Sequence, residues 1–111
     1  MTGLQPLERT EDRCDAYASG MNATGTVQID DERFRVTEWR FAPGASTGWH
    51  RHEHDYVVVP LTTGTLRIVS AEGEREVELT AGASYTRLAG VEHDVVNASD
   101  GEFAFIEVER L

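Results

Sequence analysis

The stretch Gly48–Gly64, GWHRHEHDYVVVPLTTG, sets three histidines within five positions and follows them with an unbroken run of valines. Valine is stiff about its first side-chain torsion and packs well on a pleated surface, so Val57–Val59 reads as a strand. Three valines in a row break the two-residue alternation, which predicts a strand covered on both faces or followed by a bulge. Pro60 lacks the N–H that a central ladder needs and places an edge or bulge there. Residues two apart on an extended chain project from one face, so His50 and His52 present two imidazoles side by side, about 7 Å apart along the backbone. A short H-x-H in a polar segment is more often solvated than metallated. The pair nevertheless suits adjacent positions on one ion, and the remaining histidine outside the stretch, His93, is the candidate third ligand. His54 shares the parity of the pair, but the polar EHD around it predicts a turn and a ring at the rim.

Outward from this stretch the chain reads as short strands separated by turns. Upstream, TVQIDDERFRVTEWRF is a hairpin with Asp30 and Asp31 at its turn, broken by APGAS. Downstream follow TLRIVS, REVEL, SYTRLA, HDVVN and FAFIEVERL, with turns rich in Gly, Asp and Asn. Strands at this spacing, with no stretch of helical period between them, predict an all-β sandwich or barrel. Residues 24–111 form one domain, and residues 1–23, polar with few apolar anchors, read as an N-terminal extension or arm. One core suffices for 111 residues.

Composition narrows the function classes. Apolar residues make up 40% and charged residues 27%, a globular balance. Twenty acids against ten bases give a formal charge of −10, which repels nucleic acid and anionic lipid. No apolar run approaches the ~20 residues of a spanning helix, and no basic-then-apolar leader opens the chain. With Cys14 as the single cysteine, no intrachain disulfide forms. The expected setting is the cytoplasm, without a membrane or nucleic-acid partner.

Two spaced motifs cover about half the chain. In the first, Gly44 is followed by ASTGW, His50, His52 and, at its end, Gly64. In the second, Gly82 is followed by ASYTR, Leu88, Gly90, His93 and Asn97. This pattern resembles the cupin superfamily, and more closely the small cupins named as beta-alanine degradation proteins. The resemblance implies a jelly-roll (double-stranded β-helix) barrel of six to eight strands. It also implies one divalent transition metal per chain, Fe, Ni, Zn or Mn, held by His50, His52 and His93.

Two positions depart from that pattern. Leu88 stands where proline is usual, and the first motif's glutamate is missing: with three residues between, the position following His52 is Tyr56, and with four it is Val57. Tyr56 shares the parity of the histidine pair and becomes a candidate polar group beside the metal, with a neutral phenol as its default state. Glu92, next to His93, is the other candidate acid or base, although strand alternation turns it away from the ring. Asn97 is expected to fix a turn or strand end. Three imidazoles leave an ion's charge uncompensated, favouring a Lewis acid that hosts an anion.

The resulting expectation is a metal-dependent enzyme acting on a small carboxylate- or carbonyl-containing molecule. Its alternative is a non-catalytic module that captures a metal or metabolite. Small cupins commonly pair, so a homodimer is expected, with the arm and FAFIEVERL as interface material.

Overall fold

The computed structural model describes residues 21–111. Residues 1–20 of the expected arm lie outside the described residues, whereas Ala23 packs against the core and donates its N–H to the Ser46 carbonyl. Nine strands follow: β1 Thr24–Asp30, β2 Phe34–Phe41, β3 His50–Arg51, β4 Tyr56–Pro60, β5 Gly64–Ser70, β6 Gly73–Leu79, β7 Tyr85–Arg87, β8 Glu92–Asn97 and β9 Phe103–Arg110. There is no helix among the described residues. The strands form two antiparallel sheets, ordered β1-β2-β9-β4-β7 and β3-β8-β5-β6, the architecture of a jelly-roll barrel.

Local chemistry explains the first hairpin. The Asp31 carboxylate accepts hydrogen bonds from the Arg33 and Phe34 N–H groups, a turn that hands the chain from β1 to β2. Those two bonds hold its pKa below the usual carboxylate value.

The valine strand differs from its reading. Val58 is buried while Val57 is exposed, so β4 alternates and presents one face to the core. β4 is also internal, between β9 and β7. Proline is tolerated there because β7 pairs only with Tyr56–Val58; the Pro60 nitrogen faces the side where β7 has ended, while Leu61 donates to Ala104 on the β9 side. β9 likewise lies inside its sheet, between β2 and β4, so FAFIEVERL has no free edge to offer a partner. Among the described residues, the edge strands of that sheet are β1 and β7.

The barrel is packed at one end. Phe41, Phe103, Phe105, Leu66 and Leu79 are buried together, and each such side chain contributes about 1.5–3 kcal/mol by leaving water. Gly64 is required by this packing: a Cβ there would fall 2.5 Å from the Ser99 hydroxyl and 2.8 Å from the Phe103 ring. Asn97 ties the same end together. Its side-chain N–H₂ donates to the Phe41 and Gly101 carbonyls, and its oxygen accepts from the Ser99 N–H. The expected structural role of Asn97 is thus present in its bonds.

Candidate metal centre

The other end of the barrel is built from inward-facing residues of both sheets. His50 comes from β3, and its partner across the strand pair is His93 on β8. His52 follows in the connection to β4, its N–H donated to the Val91 carbonyl and its own carbonyl accepting from the Gly90 N–H. These bonds fold the short H-x-H segment inward over β8. The Nε2 atoms of His50 and His52 lie 3.0 Å apart, and those of His52 and His93 3.3 Å. The three rings meet edge to face. The ligand atoms form a group able to hold one metal ion.

The protonation pattern is constrained by what stands behind the rings. The His50 Nδ1 lies 2.9 Å from the Gly48 carbonyl, which only accepts, so Nδ1 carries the proton and Nε2 a lone pair. Gly48 reaches this position with a φ of 82°, a conformation that favours glycine. The Glu107 carboxyl lies 3.4 Å from the His52 Nδ1 and, when ionised, favours the proton on that side as well. Two lone pairs 3.0 Å apart repel unless a cation lies between them. Nitrogens held at about 2.0–2.1 Å from one ion, at right angles, would stand about 3 Å apart. The donor set therefore fits a divalent ion with three imidazole ligands.

Burial and mutual repulsion keep these rings neutral. His52 is pushed down to about 2, by burial first and then by the charges of His50 and His93. His93 is pushed down to about 3 by burial, His50 and the guanidinium groups of Arg87 and Arg75. His50 is lowered by burial, against the raising effect of its bond to Gly48. Neutral imidazole is the form that ligates.

Tyr56 occupies the position of the missing motif glutamate. Its ring stacks on His52 at 3.9 Å between centroids and 18° between planes. Burial and the nearby Glu107 raise its pKa, so the phenol stays neutral. Glu92 is exposed on β8, opposite Arg51 in the adjacent strand, as alternation predicts. His54 is half-buried and outside the histidine group; its charge acts on Glu109 instead.

One residue missed by the sequence reading is Glu107. It is buried on β9, its carboxyl pushed up to about 8 by burial and by Glu109, against the hydrogen bond from Trp39. A signal for it exists. Phe103, Phe105 and Glu107 share one parity, so the carboxylate stands on the strand face that supplies the core.

Comparison with known proteins agrees with this architecture. The Cupin domain family pattern matches residues 37–109, spanning both histidine motifs. The chain belongs to the cupin family. This cupin is 61% identical over 87 residues to the beta-alanine degradation protein BauB of Pseudomonas aeruginosa, covering 78% of this chain and 92% of that protein. A crystal structure of a cupin domain from Bordetella pertussis Tohama I is 59% identical, with a TM-score of 0.81 over 82% of this chain and 95% of that one. A sugar phosphate isomerase of the cupin superfamily from Silicibacter pomeroyi is 25% identical, with a TM-score of 0.67 over 94% of this chain and 68% of that one.

Proposed function

We propose that this cupin holds one divalent transition metal, Fe, Ni, Zn or Mn, on His50, His52 and His93, and acts as an enzyme on a small carboxylate- or carbonyl-containing metabolite. The observation that carries this reading is the convergence of the Nε2 atoms while the His50 Nδ1 is committed to the Gly48 carbonyl. A bound ion supplies Lewis-acid polarisation of a ligand oxygen, or redox chemistry if it is iron. The chain's own residues set the conditions. Tyr56 offers a neutral O–H at the cavity wall and fixes the plane of His52 by stacking. Glu107 and Trp39 support His52 from behind. Val58, Leu66 and Phe105 close the floor against water. The name borne by the Pseudomonas relative accords with a substrate derived from a small amino acid.

The test is elemental analysis of the purified protein beside a His50→Ala, His93→Ala double variant, each stripped and reloaded. Near-stoichiometric metal in the parent and none in the variant is the expected result. Equal trace metal in both would sink the ligand assignment.

One observation favours the non-catalytic alternative. Among the described residues, the only carboxyl group lining the inner cavity, Glu107, stands against His52, and the other acidic candidate, Glu92, is exposed. Turnover of carboxylate and carbonyl compounds by the metal-loaded protein separates the two; binding without turnover across the series would favour the module.

We also infer a cytoplasmic homodimer. Its support is the edge strand β1, which exposes Val27 and Ile29 at 54% and 49%. A concentration-independent monomer mass in sedimentation would contradict it.

A further inference from the structure

The inward face of β6 reads Arg75, Val77 and Leu79, two residues apart, and their burial rises in that order from exposed to fully buried. Leu79 marks the floor of the barrel and Arg75 its mouth. On β7, Tyr85 and Arg87 face the same cavity, and the Arg87 guanidinium lies over the Tyr85 ring at 4.8 Å. Both guanidinium charges reach His93.

Two spaces meet there. The inner cavity, about 50 Å³, is lined by the three histidines, and an outer chamber of about 310 Å³ adjoins it. They share Ile68, Arg75, Arg87 and His93 as walls, so both guanidinium groups stand at the border between the outer chamber and the imidazoles. At roughly 10–15 Å³ per water-sized group, the inner space takes about four such groups. A ligand larger than a small head group must extend into the outer chamber.

Five other described arginines of this acid-rich chain are paired with carboxylates, and Arg110, away from the cavity, is not. Arg33, Arg35, Arg40, Arg51 and Arg67 each lie 2.6–3.9 Å from a carboxylate. Among the described residues, Arg75 and Arg87 have no carboxylate in that range, although Glu72 and Glu92 line the same chamber. Arg87 donates one N–H to the Thr86 carbonyl at 3.3 Å, which leaves most of its fork uncommitted. Guanidinium groups that face a cavity with no carboxylate partner can receive an incoming anion.

We propose that Arg75 and Arg87 form a carboxylate subsite at the barrel mouth, holding the far end of a short ligand whose near end lies against His50, His52 and His93. The near-end assignment rests on the metal reading above; the subsite rests on the arginines. Glu72 and Glu92 oppose a dianion in the chamber, which favours a singly charged carboxylate over phosphate.

The experiment is calorimetric titration of acetate, succinate and inorganic phosphate into the zinc-loaded parent and its Arg75→Gln, Arg87→Gln and Arg87→Lys variants. Succinate should bind the parent at least about tenfold more tightly than acetate, since it alone reaches both the ion and the arginines. Each glutamine variant should lose about tenfold for succinate while acetate affinity and zinc stoichiometry stay within about twofold. Arg87→Lys keeps the charge without the planar fork and should fall between. Arg75 lies at the exposed end of its row, so its variant reads the subsite even if Arg87→Gln fails to fold. No preference for succinate, succinate affinity unchanged in the variants, or tighter binding of phosphate would each overturn the proposal. If the parent holds none of Fe, Ni, Zn or Mn, the metal reading fails by itself. The subsite is then read in metal-free protein, where acetate should shift the Arg75 and Arg87 side-chain N–H resonances; the absence of those shifts would overturn it.

Discussion

The two ends of β8 hold buried polar side chains under opposite conditions. At one end, Asn97 is fully buried and its side chain is bonded to three backbone partners, one in β2 and two in the β8–β9 turn. At the other, the Nε2 atoms of His50, His52 and His93 face one another, with His50 committed elsewhere through Nδ1. A buried polar group whose bonds close within the protein holds structure together, because leaving it unpaired costs more than the bond itself contributes. Buried nitrogens whose acceptors converge on one point leave a vacancy in the electrostatics that a cation can fill.

The contrast is broken most strongly by removing metal. With free metal at a thousand times its dissociation constant, the parent should gain about 4 kcal/mol over the stripped protein, by mass action alone. Thermal melts with and without chelator check this, and the His50→Ala, His93→Ala variant should show no difference. Next in size is Asn97→Ala, which strands the Phe41 and Gly101 carbonyls and the Ser99 N–H. It should lose about 3 kcal/mol in urea unfolding, while metal stoichiometry in the folded protein stays that of the parent. The reverse pattern, metal lost and stability kept, would erase the distinction between the two ends.

A smaller effect is expected at Glu107→Gln. Partners behind ligating histidines are worth 10–100-fold in metal affinity, so competition with a chelator should show a loss of about 1.4–2.7 kcal/mol. The smallest belongs to Asp31→Asn, which weakens a satisfied turn at the surface. The folded pKa of Asp31 lies below its ordinary value of 3.8, so its contribution is present above that value and lost as pH falls through the lowered one. Unfolding at pH 7 should therefore separate Asp31→Asn from the parent, and the two should converge on acidification.

Most of the strand order along the chain was legible because turn residues and alternation are local. The histidine cluster was legible because two of its members sit two apart and the third is the single histidine outside the Gly48–Gly64 stretch. The burial of β4 was not. Val57, Val58 and Val59 look equivalent as residues, and only pairing with β9 and β7 decides which side of each is wet. Glu107 and Arg75 were missed for a related reason. Each is a charged residue in a run of charges, GEREVEL or IEVER, where solvation is the ordinary reading. Their parity with Leu79 and Phe105 marks them as inward, but composition outweighs parity until a core is seen.

The placement of β9 has a further consequence, for the chain as it is made. β9 lies between β2 and β4, yet both precede it in the chain. A ribosome therefore releases β2 and β4 before the strand that joins them exists. The larger sheet cannot grow in the order of synthesis, and its two halves wait as separate, unpaired edges until the last strand arrives. Such long-range closure folds slowly and leaves nascent edges exposed, so the core, which takes Phe103 and Phe105 from β9, closes as a late event.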